Sequence, residues 1–302
     1  MKIRNIALSA LFVLASTISY ANEPMRLVPQ NSKIAMELDY AQAMTQPEIK
    51  DLISSQIASG SDISEEVLAK IGINPSKDIK NIHLFVDEAN NCGIIVSGSF
   101  DAAKISEVFQ TDKELTAKFQ MKNIGEAPTI VCNANENANI MLIDQNTMVL
   151  GNEAVLTKVA SVNDSKTPNI ETDEEFAALL KDNRPSSGLW GVVRPEKAQD
   201  ENKLLPGLEN MKISMFKLFY DKNFDFSFVG RVGSEKDAEA LKQNLQNLLD
   251  MAKAGVVNEK EATELLKAVE VKSTADSASM VLSVPAETMK AFLVRLATPA
   301  SK

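Results

Sequence analysis

Apolar and polar residues alternate over Lys33 to Asp39 and over Asn81 to Asp87, and a period of two is what a half-buried strand requires; Gly93 to Phe100 reads as an apolar strand. Beyond Ala102 the period changes. Ile105, Val108 and Phe109 fall on one stripe, so the strand that leaves through Gly98 feeds a helix, with Asp101 in the capping position. The same order returns over Phe224 to Leu245, FDFSFVGRVGSEKDAEALKQNL. There Gly230 replaces Gly98, Val232 replaces Phe100, and Ser234 takes the capping role of Asp101.

The remaining pattern fills in around these two segments. Gln46-Pro47 opens a helix through Ile57, because proline fits a first helical turn where its missing N–H has no partner to lose. Ser61 to Ile71 is a second helix stopped by Gly72, and Asn74-Pro75 is a turn. Asn90-Asn91 turns a hairpin between Asn81 to Asp87 and the strand from Gly93. Four short strands follow, at Phe119 to Asn123, Thr129 to Asn133, Ala138 to Asp144 and Thr147 to Leu150, and Gly151-Asn152 starts a helix through Val162. Asn163 to Asn169, with Pro168, reads as a linker.

After it, Thr172 and Glu175 form a capping box. Strands are expected at Leu189 to Arg194, Ile213 to Asp221 and Asp225 to Val232, with a loop or short helix from Gln199 to Leu208. The longest helix is Lys236 to Ala254, on a stripe of Ala238, Leu241, Leu245, Leu248 and Ala252. A helix from Asn258 to Val269, a hairpin of Val271 to Thr274 with Ser279 to Val284, and a helix from Pro285 to Leu296 close the chain. Strands in runs joined by short turns predict an α+β fold with antiparallel-rich sheets, helices packed on one face, and two structurally similar halves at 22–165 and 166–302.

Composition changes the picture chiefly at the N-terminus. Lys2 and Arg4, the apolar run Ile6 to Ile18 and the small residues around Ser19-Tyr20-Ala21 make residues 1–21 a secretory signal peptide, too short in its apolar run to span a bilayer. The chain after cleavage is expected to be soluble, without a transmembrane segment, and periplasmic or extracellular. Its 281 residues would carry 30 basic and 41 acidic side chains, a net charge of −11. Basic and acidic residues alternate along each helix, which argues against a nucleic-acid partner, since phosphate binding needs a basic patch.

Cys92 and Cys132, the two cysteines, are read as a disulfide or as two free thiols; the bridge requires neighbouring strands. His83 is the sole histidine, placed mid-strand with no acid near it in the sequence, and is expected to be a partly exposed strand residue. Ser97-Gly98-Ser99 comes closest to a nucleophile turn, without the G-x-S-x-G pattern. Glu65-Glu66, Glu174-Glu175 and Glu259 with Glu261 stand at helix starts, where the helix dipole explains them. The alternating Asn133, Asn135, Asn137 and Asn139 lack the acids of a calcium loop. No phosphate-loop, dinucleotide or zinc spacing occurs, so no cofactor and no metal is expected. Met211, Met215, Phe216 and Phe219 form the candidate partner surface, with core packing as the competing use.

Leu27-Val28-Pro29 before a strand ending at Asp39, the proline-started helix at Pro47, the Gly72 to Asp78 turn and the Gly98-Ser99-Phe100-Asp101 exit together resemble a set of uncharacterised exported bacterial proteins with two related α/β halves. The resemblance implies the two-part fold and supplies no catalytic residue. The expected function is a non-catalytic binding or structural protein of the cell envelope that engages another protein. Two alternatives stand beside it: a hydrolase using carboxylates in the cleft between the halves, and a carrier of an apolar ligand in a cavity lined by Met and Phe.

Overall fold

Strands with a period of two joined by short polar turns favour antiparallel pairing, and in the computed structural model every described pairing is antiparallel. Residues 24–46, 65–133, 139–183, 188–195, 210–256 and 260–290 are described. The fold is α+β, and the chain divides into two units between Leu189 and Trp190. That boundary lies beyond the expected linker at Asn163 to Asn169. The amide of Gln30 donates to the Pro168 carbonyl and that of Ile170 to Val28, and these bonds tie the segment into the first unit.

In the first unit β1 (Ile34–Asp39), β2 (Ile79–Val86) and β3 (Cys92–Gly98) form a meander. Then β7 (Thr147–Gly151), β6 (Asn139–Asp144), β5 (Ala127–Cys132) and β4 (Phe119–Ile124) continue the order β1-β2-β3-β7-β6-β5-β4. The helical segments are α1 (Tyr40–Ala43), α2 (Glu65–Lys70), α3 (Pro75–Asp78), α4 (Ala102–Thr111), α5 (Lys113–Lys118), α6 (Glu153–Asn163) and α7 (Glu174–Asn183), with 3-10 turns at Pro24–Leu27 and Ile170–Thr172. In the second unit β8 (Leu189–Val193), β9 (Ile213–Tyr220) and β10 (Asn223–Arg231) precede α8 (Glu235–Gly255) and α9 (Lys260–Lys267). There β12 (Ser277–Pro285) lies beside β10 and β11 (Val269–Ser273) beside β12. In each unit, therefore, the last strand of the unit is laid beside the third. The first adds four strands after its meander and the second adds two, so the likeness of the halves stays at the level of element order.

One face of the first unit joins Val96, Ile130, Ile140, Leu142 and Met148 to Ile105 and Phe109 of α4 and Leu115 of α5. Phe109 and Phe119 meet edge to face with centroids 5.1 Å apart. The opposite face carries the buried Phe85, Ile95, Met141 and Val149. Val155 of α6 sits against Gly93 and Gly151 there, in space that a Cβ on either glycine would fill. Helices thus cover both faces in this unit, where one covered face was expected. The reason is α6 itself, whose Val155, Leu156, Val159, Ala160 and Val162 are all buried and need a second apolar surface. In the second unit α8 covers one face, packing Ala238, Leu241 and Leu245 with Val232 and Ala278.

Local chemistry sets the element ends. Asp101 accepts from the Lys104 amide and Ser234 from the Asp237 amide, as the repeated plan predicts. Asp112 caps α5, a helix the pattern alone did not announce, by accepting from Glu114 and Leu115. The cap of α7 is Asp173, one residue after the expected Thr172, and accepts from Phe176. The Asn74-Pro75 turn is the start of the single-turn helix α3. On α8 the buried stripe runs to Leu249, and Leu248 is exposed. Gly98 must be glycine because a Cβ there would stand 1.9 Å from the Asp78 carbonyl oxygen, which also accepts from the Ser99 amide. The helix expected from Pro47 to Ile57 and the loop at Gln199 to Leu208 lie outside the described residues.

Candidate functional site

Each side chain singled out in the sequence has a definite place. His83 is 1% exposed, in contrast to the partly exposed residue expected, and neither ring nitrogen has a hydrogen-bond partner. The β1–β2 register sets Glu37 directly opposite, with Oε2 3.9 Å from Nδ1, too far for a hydrogen bond. An acid is thus close in space although none is close in sequence. Burial pushes the imidazole down to about 3, so it is neutral at ordinary pH and a weak base. Ser97 Oγ reaches the Asn81 carbonyl at 3.4 Å, and no nucleophile–base pair forms between it and His83.

Cys92 and Cys132 are free thiols. Their strands are not neighbours: β7 and β6 lie between β3 and β5, which separates them by three strand spacings, about 14 Å. A bridge needs Cα atoms within about 7 Å, so the disulfide reading is corrected. Asn139 is buried and its Oδ1 accepts from the Cys132 amide, a structural role; Asn135 and Asn137 lie outside the described residues. The partner quartet does not form one surface. Met215 is 1% exposed and belongs to the core, and Met211 packs toward Gly230 on the α8 side. Phe216 and Phe219 are half-buried on opposite faces of β9, because neighbouring parities point in opposite directions.

Several of the acids, Asp39, Asp87, Asp101, Asp112 and Asp173, serve the backbone. Asp87 is fully buried at the end of β2 and accepts from the amides of Ala89 and Asn91. Lys158 closes the arrangement, its Nζ 2.8 Å from Asp87 and 2.9 Å from Glu88. Burial alone raises the Asp87 carboxyl, but hydrogen bonds from Lys158 and Asn91 outweigh it and hold the group below the ordinary carboxylate range. A cleft of about 270 Å³ opens here between Pro29, Asn31, Glu88, Lys158, Ser161 and Pro168. Its cation is already matched by two carboxylates. Among the described residues no group of three or more metal-ligating side chains occurs.

A different arrangement occupies the hairpin β9–β10. Gly230 backs onto Leu241 of α8, so the residues of its parity face the helix, while Asp225, Ser227, Val229 and Arg231 face away. Lys217 stands directly opposite Ser227, Phe219 opposite Asp225, and Val281 of β12 on the other side of Ser227. Lys217 is half-buried, has no carboxylate partner among the described residues, and burial lowers the proton affinity of its amine. The Ser227 hydroxyl is buried and has no hydrogen-bond partner. Arg231 is paired with Asp276 at 2.9 Å and Lys272 with Glu270 at 2.5 Å, so Lys217 is the one unmatched cation among the described residues of this face. Lys217 does not stand out in the sequence while the apolar residues around it are grouped together; it does once they are separated by parity. No helix among the described residues is long and apolar enough to cross a membrane. No family model, no curated protein and no solved structure matches this chain.

Proposed function

We propose that this chain is an exported, soluble, non-catalytic binding or structural protein that engages another protein at the cell envelope. The observation that carries the non-catalytic reading is the engagement of its acids in local structure. Asp39, Asp87, Asp101, Asp112 and Asp173 each accept backbone amides at a turn or helix start. At Asp87, Glu88, Asp112, Glu239 and Glu270 the proton affinity is shifted downward. A general acid needs the opposite shift. The basic, apolar and small-residue order of the first 21 residues supports export.

Export is tested by sequencing the N-terminus of the protein recovered from the envelope or medium. A start at Asn22 is expected, and an intact Met1 in the cytoplasmic fraction overturns it. Engagement is tested by crosslinking in intact cells: one envelope protein recovered reciprocally from either side is expected, and no adduct above background removes the partner.

A further inference from the structure

We propose that the face of the second unit formed by β9, β10 and β12 binds an amphiphilic carboxylate, with the head at Lys217 and Ser227 and the apolar chain along Val229 and Val281. This ligand is distinct from the protein partner above, and each reading survives failure of the other.

A cation kept partly out of water without an anion is unfavourable, and a buried hydroxyl without a partner is unfavourable too. Here the two stand opposite each other in register on adjacent strands, where Cβ atoms are about 5 Å apart. A carboxylate has two oxygens, enough to accept from Lys217 Nζ and from Ser227 Oγ together. The two other cations of the face are matched by Asp276 and Glu270, so a single head group completes its charge balance.

The surroundings choose the rest of the molecule. Val229 and Val281 flank Ser227 along the strand and across it, and Val281 is 37% exposed. Same-face neighbours lie about 7 Å apart along a strand and about 5 Å across it, which suits a chain of several methylenes. Asp225 is the acid nearest to this arrangement in the register, and its Oδ1 accepts from Ser283 Oγ at 2.5 Å. Its charge repels a carboxylate from the Phe219 end of the row and places the head on the Ser227 side.

Calorimetric titration of the purified protein with decanoate and with decanol, both below their aggregation limits, tests the proposal. Decanoate is expected to bind saturably and at least about tenfold more tightly than decanol, the size of one charge-assisted hydrogen bond. Lys217→Met is expected to abolish that preference and Lys217→Arg to keep it. Equal binding of the two probes to the unaltered protein, or absence of saturable decanoate binding, overturns the site without recourse to any variant. A preference unchanged in a folded Lys217→Met protein overturns the role of Lys217.

Discussion

In the first unit the strand face turned away from α4 holds Phe85, Ile95, Met141 and Val149, all buried, with α6 laid over part of it. In the second unit the face turned away from α8 holds Lys217, Phe219, Ser227 and Val229, all partly exposed, and the exposed Val281, beside the buried Ile213 and Met215. Both begin from the same order of a three-strand meander, a glycine exit and a capped helix. In the first unit the chain continues past its last strand into α6, whose wholly apolar side lies on this face; in the second the described chain after β12 ends in a helical turn at 286–290 that buries Ala286 and Met289. A covered face keeps an unpaired titratable group neutral, as with His83, and a charged one only when it is paired, as Asp87 is with Lys158, whereas a partly open one can keep an unpaired lysine.

The contrast is sharpest in packing. Ile95→Ala on the covered face is expected to cost about 4 kcal/mol, from lost burial plus the cavity left behind, while Val229→Ala on the open face is expected to cost under about 1 kcal/mol. Denaturant midpoints measure both, and similar costs would erase the distinction. Acid reports on the same covered face. The folded-state value of His83 is depressed to about 3, against about 6.5 in an unfolded chain, so below pH 6.5 the unfolded state takes up a proton that the folded state refuses. That stability is fully present above about pH 6.5, is lower by about 3 kcal/mol at pH 4, and stops falling near pH 3. His83→Phe should flatten the decline between pH 6.5 and 4.5; an unchanged slope would assign it to other groups.

The two exit glycines extend the comparison to smaller effects. Gly98→Ala drives a Cβ into the Asp78 backbone carbonyl and is expected to cost about 3 kcal/mol. Gly230→Ala meets only the tips of Leu241 and Met211, each 2.9 Å from the new atom, and is expected to cost about 1 kcal/mol as those side chains yield. Thermal unfolding of the pair tests the asymmetry. Smallest and most alike are the caps, with Asp101→Ala and Ser234→Ala each expected to lose about 1 kcal/mol. A difference larger than that between them would separate the two copies of the plan.

Most strands and helices were legible because their signals are local. Alternation, short apolar runs and turn residues marked β1 through β12 to within a few residues, and Asp101, Asn152 and Ser234 announced their helices. What escaped was everything decided by pairing. The 3.9 Å approach of Glu37 to His83 depends on which residue of β1 faces which residue of β2, and no local pattern states that register. The same holds for Cys92 and Cys132, whose strands are separated by two that come later in the chain than β5. Lys217 and Ser227 meet through the β9–β10 hairpin, whose turn was readable, so parity counted from Asn223 offered the available signal. The boundary near Leu189 was hidden because a polar stretch with a proline looks alike whether it swings free or is stitched down by the carbonyls of Val28 and Pro168.

The distance between the two thiols has a consequence for how the protein is made. Joining sulfurs that stand about three strands apart would mean dismantling the sheet between them, so the native state has no use for an oxidant. Renaturation should proceed as well in reductant as in air, with any cross-linked monomer a trapped, non-native species rather than a step on the way.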